Sequence, residues 1–218
     1  IVIFVSDNGG NMYNRVKGVP PTSNAPLRGG KGTIYEGGTR VPCAVVWPGK
    51  IAANTTNAAL FVTTDFYPTI LAMLGLKTPA GVKFDGLNQW PVLQGKAPVR
   101  HEVYSYYPHY TVATGNFPAV SVRQGDWKLI RFFCDNTNQT DRLELYNLKD
   151  DLGEAHNLAA VETKTAHDLN ALLDQFLNRT GAVIPQRNPA WNPNAVSQTA
   201  APKLRRKSAQ HYDPTDAP

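Results

Sequence analysis

The sequence predicts an α/β fold followed by a small α+β subdomain, and three observations support this prediction. The chain opens with the apolar segment Ile1–Val5, which ends at once in a polar, glycine-containing turn. A second apolar segment, residues 41–47, precedes a stretch with helical periodicity, and after residue 100 short runs of β-branched and aromatic residues replace that pattern. A strand without polar residues is typical of a parallel sheet that is covered on both faces. Ligands bind beyond the carboxyl ends of such strands, so we expect Asp7 and Asn8 to lie at a functional site.

The first part of the chain is predicted to contain two buried strands and one helix. Cys43 lies in the second strand, where we expect it to be a small buried hydrophobe. Thr64-Asp65 is interpreted as the cap of the helix, so Asp65 is assigned to capping and not to acid catalysis. Pro68 suits the first turn of this helix and Gly75 its end. Its apolar residues fall on one face: Phe66, Tyr67, Ile70, Leu71 and Leu74.

The second part is predicted to be an antiparallel meander with one packing helix. Its strands are expected at 119–123, 126–133 and 142–148, separated by turn residues. The helix is indicated by apolar residues at helical spacing before Gly181: Leu169, Leu172, Leu173, Phe176 and Leu177. Arg123 and Lys128 are expected to be solvated, and residues 150–154 to form a turn. The predicted domains are 1–98, 99–186 and a basic, flexible tail over 187–218.

The residue types after the first strand suit an anion held beside a hard metal ion. Asp7 offers carboxylate oxygens and Asn8 an amide carbonyl, both of which suit calcium or magnesium. Lys31 lies among Gly29, Gly30 and Gly32, where it would present a compact positive charge on a closely approachable loop. A P-loop is excluded because Ala25 and Gly32 stand where that motif needs Gly and Ser or Thr, so ATP is disfavoured. From the residues alone, a plain turn followed by a flexible loop is the alternative.

Together, the two motifs resemble a known enzyme family. SDNGG followed by PLRGGKGTIYEGGTRVP is similar to the formylglycine-dependent (type I) sulfatases of the alkaline phosphatase superfamily. Further segments follow in the family's order, and the resemblance covers about residues 1 to 190: 45–51, 65–71, 85–87, 125–130, 144–148 and 154–158. It implies that residues 1–98 are the C-terminal portion of an alkaline-phosphatase-like α/β/α sulfatase domain. It also implies that Asp7 and Asn8 are calcium ligands and that Lys31 contacts the sulfate.

The family's nucleophile motif, C/S-x-P/A-x-R, is not found in these 218 residues. Cys43 is followed by Ala-Val-Val-Trp and Cys134 by Asp-Asn-Thr-Asn, so neither cysteine fits. The resemblance therefore implies that the formylglycine lies in an N-terminal half, which would act as the partner of this segment. We expect the chain to begin inside the catalytic domain and to be inactive as an isolated fragment.

An aromatic stretch near residue 107 is a candidate substrate subsite. Many relatives carry a Trp-His-Tyr-Pro-His-like sequence here, whereas this chain has Ser105-Tyr106-Tyr107-Pro108-His109. His109 and the tyrosines could line a sugar or aryl subsite, because aromatic rings stack on apolar faces and His donates hydrogen bonds. The alternative is aromatic packing between the two structural layers.

The resulting prediction is hydrolysis of a sulfate ester on a sulfated small molecule or glycan. The alternatives are a phosphonate or phosphodiester hydrolase of the same superfamily, or a non-catalytic polyanion-binding fragment. The net charge is +5, of which +3 falls after Gln186, where five basic residues face two acidic ones. That tail could touch a polyanion or be solvated and disordered. No nucleic acid partner is expected, and no membrane span, because eighteen consecutive apolar residues do not occur. The resemblance implies a periplasmic, secreted or lysosomal protein.

Overall fold

The computed structural model describes residues 1–192, which fold as parts of two compact units. One unit combines Ile1–Asp7 with Pro42–Val103, and the other combines Asn8–Val41 with the chain from Tyr104 onward. Within the described range, none of the helices has the length and apolar character needed to cross a membrane. The two units are described separately.

The first unit contains a two-stranded antiparallel sheet. Its strands are β1 (Val2–Val5) and β2 (Cys43–Val46), paired with Val2 opposite Val46 and Val5 opposite Cys43. The prediction of a parallel, buried first strand is therefore wrong at this place, since Val2 and Phe4 are each 64% exposed. Cys43 is also exposed, contrary to the expected burial, and both it and Cys134 are free thiols. An apolar strand sequence indicates what could be buried, whereas burial itself requires a covering element that two strands do not provide.

A one-turn helix, α1 (Glu36–Thr39), belongs to the second unit. In the first unit, a short helix, α2 (Phe66–Met73), follows a 3₁₀ turn over Thr63–Asp65. It ends at Gly75, as predicted, where a positive φ of 67° allows the Leu76 N–H to donate to the Leu71 carbonyl at 2.8 Å. A second short helix, α3 (Trp90–Leu93), lies further along this unit.

The buried face of α2 differs from the predicted one. Its buried residues are Thr69 and Met73, whereas Tyr67 and Leu74 are 57% and 53% exposed. Thr69 is buried because its hydroxyl oxygen accepts the N–H of Gln89 at 2.9 Å. This hydrogen bond comes from a residue twenty positions away, so the local apolar pattern could not reveal it.

Asp65 is a buried acceptor and does not cap α2 through its side chain. It occupies the N-cap position without a side-chain capping hydrogen bond and has no exposed surface. Its carboxylate instead accepts the N–H groups of Val62 and Leu87 at 3.1 and 2.8 Å and the side-chain N–H groups of Gln89 and Arg100. The capping interpretation is therefore wrong, because donors from a distant loop reach this carboxylate.

The second unit is built on a four-stranded sheet in the order β3-β4-β5-β6. The strands are β3 (Glu102–Tyr107), β4 (Ala119–Gln124), β5 (Trp127–Phe132) and β6 (Arg142–Asn147). The last three pair antiparallel, which confirms the predicted meander. Strand β3 is not among the predicted strands, and only its last three residues, 105–107, belong to the aromatic stretch singled out from the sequence.

One face of this sheet is covered by α4 (Thr163–Thr180), which ends at Gly181 with a φ of 61°. The predicted packing of its leucine face on the meander is confirmed, and the shared core contains Val120, Val122, Leu129, Phe133, Leu145, Ala166, Leu169, Leu173 and Leu177. The opposite face packs against the segment that follows Lys31. That second core contains Ile34, Tyr35, Phe117, Ala119, Ile130, Phe132, Tyr146 and Leu148. The sheet is thus buried on both faces.

The described part of the predicted tail contacts the loop between β5 and β6. Asn188 and Gln139 exchange two hydrogen bonds, at 2.6 and 3.1 Å, and the indole N–H of Trp191 donates to the Thr137 carbonyl at 3.0 Å. The rest of the tail, residues 193–218, lies outside the described residues. The predicted role of the tail's basic residues therefore stays a prediction.

Candidate functional site

The Lys31 loop, defined as residues 28–36, is fixed by backbone hydrogen bonds within the second unit. The Lys31 N–H donates to the Gly10 carbonyl at 2.9 Å. The amide of Asn24 accepts the Gly10 N–H at 2.9 Å and donates to the carbonyls of Gly10 and Gly29 at 3.1 and 3.0 Å. Asn24 therefore joins the segment after Asn8 to the beginning of the Lys31 loop. No pattern in the sequence singles out Asn24, since a lone Asn in a loop is common.

Close backbone approach explains two of the glycines around this loop. A Cβ at Gly9 would lie 1.6 Å from the Gly37 carbonyl oxygen, and one at Gly37 would lie 2.3 Å from the Gly29 carbonyl oxygen. Neither position can hold a side chain without moving backbone. These glycines let the chain after Asn8 and the Lys31 loop meet without intervening side chains.

Lys31 itself is exposed at the tip of this fixed loop. Among residues 1–192, its ammonium makes no hydrogen bond or ion pair, which leaves its positive charge open to a ligand. Asn8, which is half-buried, belongs to the same unit and lies two residues before Gly10. The structure thus brings Gly10, two residues after Asn8, into contact with the Lys31 backbone. Asp7 is exposed and is the last residue of the first segment of the other unit.

The donors available for a metal ion match calcium in kind but are few. Asp7 and Asn8 supply oxygen atoms, whereas calcium takes six to eight oxygen ligands. Within the described part of the chain, no three His, Cys, Asp or Glu side chains come together as a metal-binding group. The two residues therefore fit as part of a calcium site that needs further donors.

A buried ion cluster lies behind the Lys31 loop and corrects one prediction. Lys128, expected to be solvated, is only 2% exposed. Its ammonium is 2.9 Å from Glu36 Oε1 and 2.9 Å from Glu154 Oε1, and it donates to the Ile34 carbonyl at 3.0 Å. Glu154, in the predicted turn, is fully buried with a φ of 53°. A charged residue between the apolar neighbours Trp127 and Leu129 in a predicted strand was the signal that could have indicated this partnership.

The two carboxylates of this cluster differ in their proton affinity. Burial raises the pKa of Glu154 above its usual value, and the nearby Lys128 ammonium offsets this only in part. Burial also acts to raise the pKa of Glu36, but Lys128 and Arg40 outweigh it, and the pKa lies below its usual value. Arg40 Nε donates to Glu36 Oε2 at 2.7 Å, and Arg123, which was expected to be solvated, has its Nη1 3.7 Å from the same oxygen. With Lys128, this carboxylate therefore has three cationic partners.

A second buried network holds the beginning of the loop. Arg28 donates to the Tyr146 hydroxyl at 2.9 Å and to the Glu154 carbonyl at 2.8 Å, and its guanidinium lies 3.9 Å from the centre of the Tyr35 ring. The hydroxyls of Tyr35 and Tyr146 both donate to Glu144, at 2.9 and 2.7 Å. Burial, followed by the Glu144 charge, raises the pKa of both tyrosines, which therefore stay neutral donors.

His109 lies on a segment that contacts the Lys31 loop through other residues. The Thr114 hydroxyl donates to the Gly32 carbonyl at 2.9 Å, and the Asn116 side chain accepts the Ile34 N–H at 3.2 Å. His109 is exposed, and the centre of its ring is 4.0 Å from that of Tyr107. Its predicted contact with substrate stays a prediction.

Part of the aromatic stretch packs inside the unit. Tyr104 stacks on Phe176 of α4 with ring centres 4.5 Å apart, and the Tyr106 hydroxyl donates to the Val183 carbonyl. Packing on the core and hydrogen bonding within the unit therefore account for Tyr106 and for Tyr104, which precedes the stretch. Within the stretch, His109 and Tyr107 are left as the subsite candidates.

Comparison with known proteins places this chain among the sulfatases. The crystal structure of Ps i-CgsB in complex with k-i-k-neocarrahexaose matches 95% of this chain and 40% of its own, with a TM-score of 0.65 and 25% identity. A curated sulfatase from Formosa agariphila is 39% identical over 168 residues, which is 73% of this chain and 29% of that protein. Human arylsulfatase A is 33% identical over 191 residues, which is 79% of this chain and 36% of that protein.

The family itself follows from a model of the C-terminal region of N-sulphoglucosamine sulphohydrolase, which matches residues 30–182. The chain belongs to this sulfatase family, and it spans about a third of the length of the curated relatives named above. The predicted resemblance is confirmed. So is the predicted fold class, a portion of an alkaline-phosphatase-like α/β sulfatase fold with an antiparallel sheet and a packing helix.

Proposed function

We propose that the protein containing this chain hydrolyses sulfate esters and that Lys31 contacts the sulfate. The observation that carries this proposal is the exposed Lys31 ammonium on a loop whose backbone is fixed to Gly10, two residues after Asn8. A fixed positive charge in the unit that also contains the candidate calcium ligand Asn8 suits a sulfate group. The sulfatases that match most of this chain support the same class of reaction.

In this proposal, Lys31 acts through its charge and not as a base. Its ammonium would stabilise negative charge that develops on the sulfate and the leaving oxygen, at little reorganisation cost because the loop is already hydrogen-bonded in place. Asp7 and Asn8 would hold part of a calcium site, and bound calcium would supply further neutralisation of the sulfate oxygens. We assign the formylglycine nucleophile to a part of the protein outside these 218 residues, since neither cysteine lies in the required motif.

The substrate class we propose is a sulfated small molecule or glycan. The Ps i-CgsB structure is a complex with a neocarrahexaose, which supports a glycan. The segment carrying His109 and Tyr107 is hydrogen-bonded to the Lys31 loop through Thr114, so these rings are candidates for contact with the sugar or aryl group. A periplasmic, secreted or lysosomal location is proposed from the family.

The test is an assay of the full-length protein with calcium on 4-nitrophenyl sulfate and on a matched phosphonate monoester. We expect release of inorganic sulfate with a higher kcat/KM than for the phosphonate. A clear preference for the phosphonate would support the alternative hydrolase instead. Turnover of neither ester, nor of a sulfated oligosaccharide, by a folded and calcium-loaded protein would contradict the proposed function.

A further inference from the structure

The ammonium of Lys128 faces three oxygens of a single buried cluster, donating hydrogen bonds to two of them and forming an ion pair with the third. Lys128 lies on β5, and its side chain is 3% exposed. A lysine ammonium has three N–H donors and no acceptor. Three oxygens surround it at 3.0 Å or less: one backbone carbonyl, of Ile34, and one carboxylate oxygen each from Glu36 and Glu154.

Glu154 fixes the same stretch of backbone with its other carboxylate oxygen. Its Oε2 accepts the Glu36 N–H at 2.7 Å, while Oε1 faces Lys128. The backbone is thereby held at Ile34 and Glu36, three and five residues after Lys31. The side chains of the cluster therefore form hydrogen bonds with the main chain of the Lys31 loop as well as with one another.

Stability alone is a poor explanation for these buried charges. A buried ion pair can often be replaced by well-packed apolar side chains at little cost in stability, since desolvation offsets much of the attraction. The face of the sheet that contains Lys128 also carries Ile130 and Phe132, which pack in an apolar core. What an apolar side chain could not provide is a directed bond to the Ile34 carbonyl.

We propose that Lys128, held by Glu36 and Glu154, is a positioning residue that sets the location of the Lys31 ammonium. This inference rests on the proposed function, in which Lys31 stabilises the transition state. Release of the loop would move Lys31 relative to the sulfate, and a displacement of about 1 Å can reduce a rate by about a hundredfold. Lys128 would act only through Lys31, since it is buried and its ammonium faces the oxygens of this cluster.

The test is a double-mutant cycle in the full-length enzyme on 4-nitrophenyl sulfate. We expect Lys128→Met to lower kcat by roughly ten- to a hundredfold in the presence of Lys31 and to have little further effect in Lys31→Ala. A general loss of folded protein would instead lower kcat by the same factor in both backgrounds. Equal factors would overturn the positioning role, even where Lys31→Ala itself lowers kcat. If Lys31→Ala leaves kcat unchanged, the proposed function fails first.

Arg131 provides a matched control on the same strand. It is 8% exposed, and its guanidinium donates to Asp174 of α4 at 2.7 Å, on the face of the sheet away from the Lys31 loop. Arg131→Met also removes a buried cation from β5, so it should reduce stability without a kcat effect that depends on Lys31. A Lys31-dependent loss of kcat in Arg131→Met would show that any damage to β5 disturbs the loop.

A milder variant covers the case in which Lys128→Met does not fold. Glu154→Gln keeps the shape of the side chain and can still accept the Glu36 N–H, so it removes mainly the charge that holds Lys128. We expect a smaller, Lys31-dependent loss of kcat, together with faster amide hydrogen exchange in residues 29–36 and unchanged exchange in α4. Lys128→Arg should not restore kcat, since a planar fork does not reproduce three diverging donors. Unchanged exchange in residues 29–36 with wild-type kcat would overturn the inference.

Discussion

At the scale of single residues, burial separates the charged groups that hold the fold from the one we assign to function. Asp65 has no exposed surface and is paired with Arg100, whereas Lys31 is exposed. A buried carboxylate with several donors stabilises a structure, and an open ammonium on a fixed loop suits a ligand. The two residues should therefore respond to substitution in opposite ways, Asp65 in stability and Lys31 in turnover.

Asp65→Asn should destabilise the first unit strongly. Loss of one partner from a buried ion pair leaves the other charge uncompensated, at a cost of about 3–5 kcal/mol. We expect a large fall in the temperature of thermal unfolding, with Asp85→Asn as a control because Asp85 is not buried. An unfolding temperature within experimental error of the wild type would show that Arg100 finds another partner.

The same carboxylate predicts a dependence of stability on pH. Burial acts to raise the pKa of Asp65, but hydrogen bonds from Arg100, Gln89 and two backbone N–H groups outweigh it, so the pKa is lowered on folding. When folding lowers the pKa of a carboxyl group, the resulting stabilisation is fully present at a pH above the pKa of the unfolded state, here about 4. It is lost as the pH falls through the pKa of the folded state. Unfolding temperatures should therefore drop more steeply below about pH 4 in the wild type than in Asp65→Asn. Parallel curves would contradict this assignment.

At the scale of elements, local patterns predicted the second unit well. The leucine spacing of α4 and the β-branched and aromatic runs of β4, β5 and β6 are set by neighbouring residues, so the sequence alone could reveal them. The antiparallel pairing of β1 with β2 depends on contacts between residues some forty positions apart. The burial of Lys128 depends on Glu36, 92 residues away, which no periodicity shows.

In the candidate site, too, the features set by neighbouring residues could be predicted and those set by distant contacts could not. The motif around Lys31 was recognisable because its glycines and lysine are contiguous in sequence. The networks behind it, through Arg28 and Lys128, were missed because their partners come from distant strands. Sequence reasoning thus found the residues that face a ligand more readily than those that hold them.

The packing of α4 can be tested by a single truncation. Leu173 is fully buried in the core that α4 shares with the sheet. Leu173→Ala should lower the free energy of unfolding of this unit by about 2–5 kcal/mol through lost burial and a residual cavity. Gln175→Ala, on the exposed face of the same helix, should change it by less than about 0.5 kcal/mol. Chemical denaturation with hydrogen exchange across α4 measures both, and equal effects would contradict the observed helix face.

At the scale of the whole molecule, calcium binding should depend on residues of this chain. Asp7 and Asn8 supply two of the six to eight oxygens that calcium takes, so the isolated 218 residues should bind it weakly. In the full-length protein, Asp7→Ala or Asn8→Ala should lower the calcium content and abolish activity. Elemental analysis measures the metal, with Asp126→Ala as a control on an exposed turn. Full retention of calcium in both variants would refute the assigned ligands.

The most direct test of the central claim compares two exposed lysines of the second unit. In the full-length enzyme, Lys31→Ala should lower kcat on 4-nitrophenyl sulfate by about a hundredfold or more, the scale for loss of one preorganised charge-stabilising group. Lys149→Ala removes the same charge from an exposed turn and should leave kcat unchanged. Thermal unfolding should be nearly the same in both variants, because neither side chain makes stabilising contacts within residues 1–192. A wild-type kcat in Lys31→Ala would contradict the account.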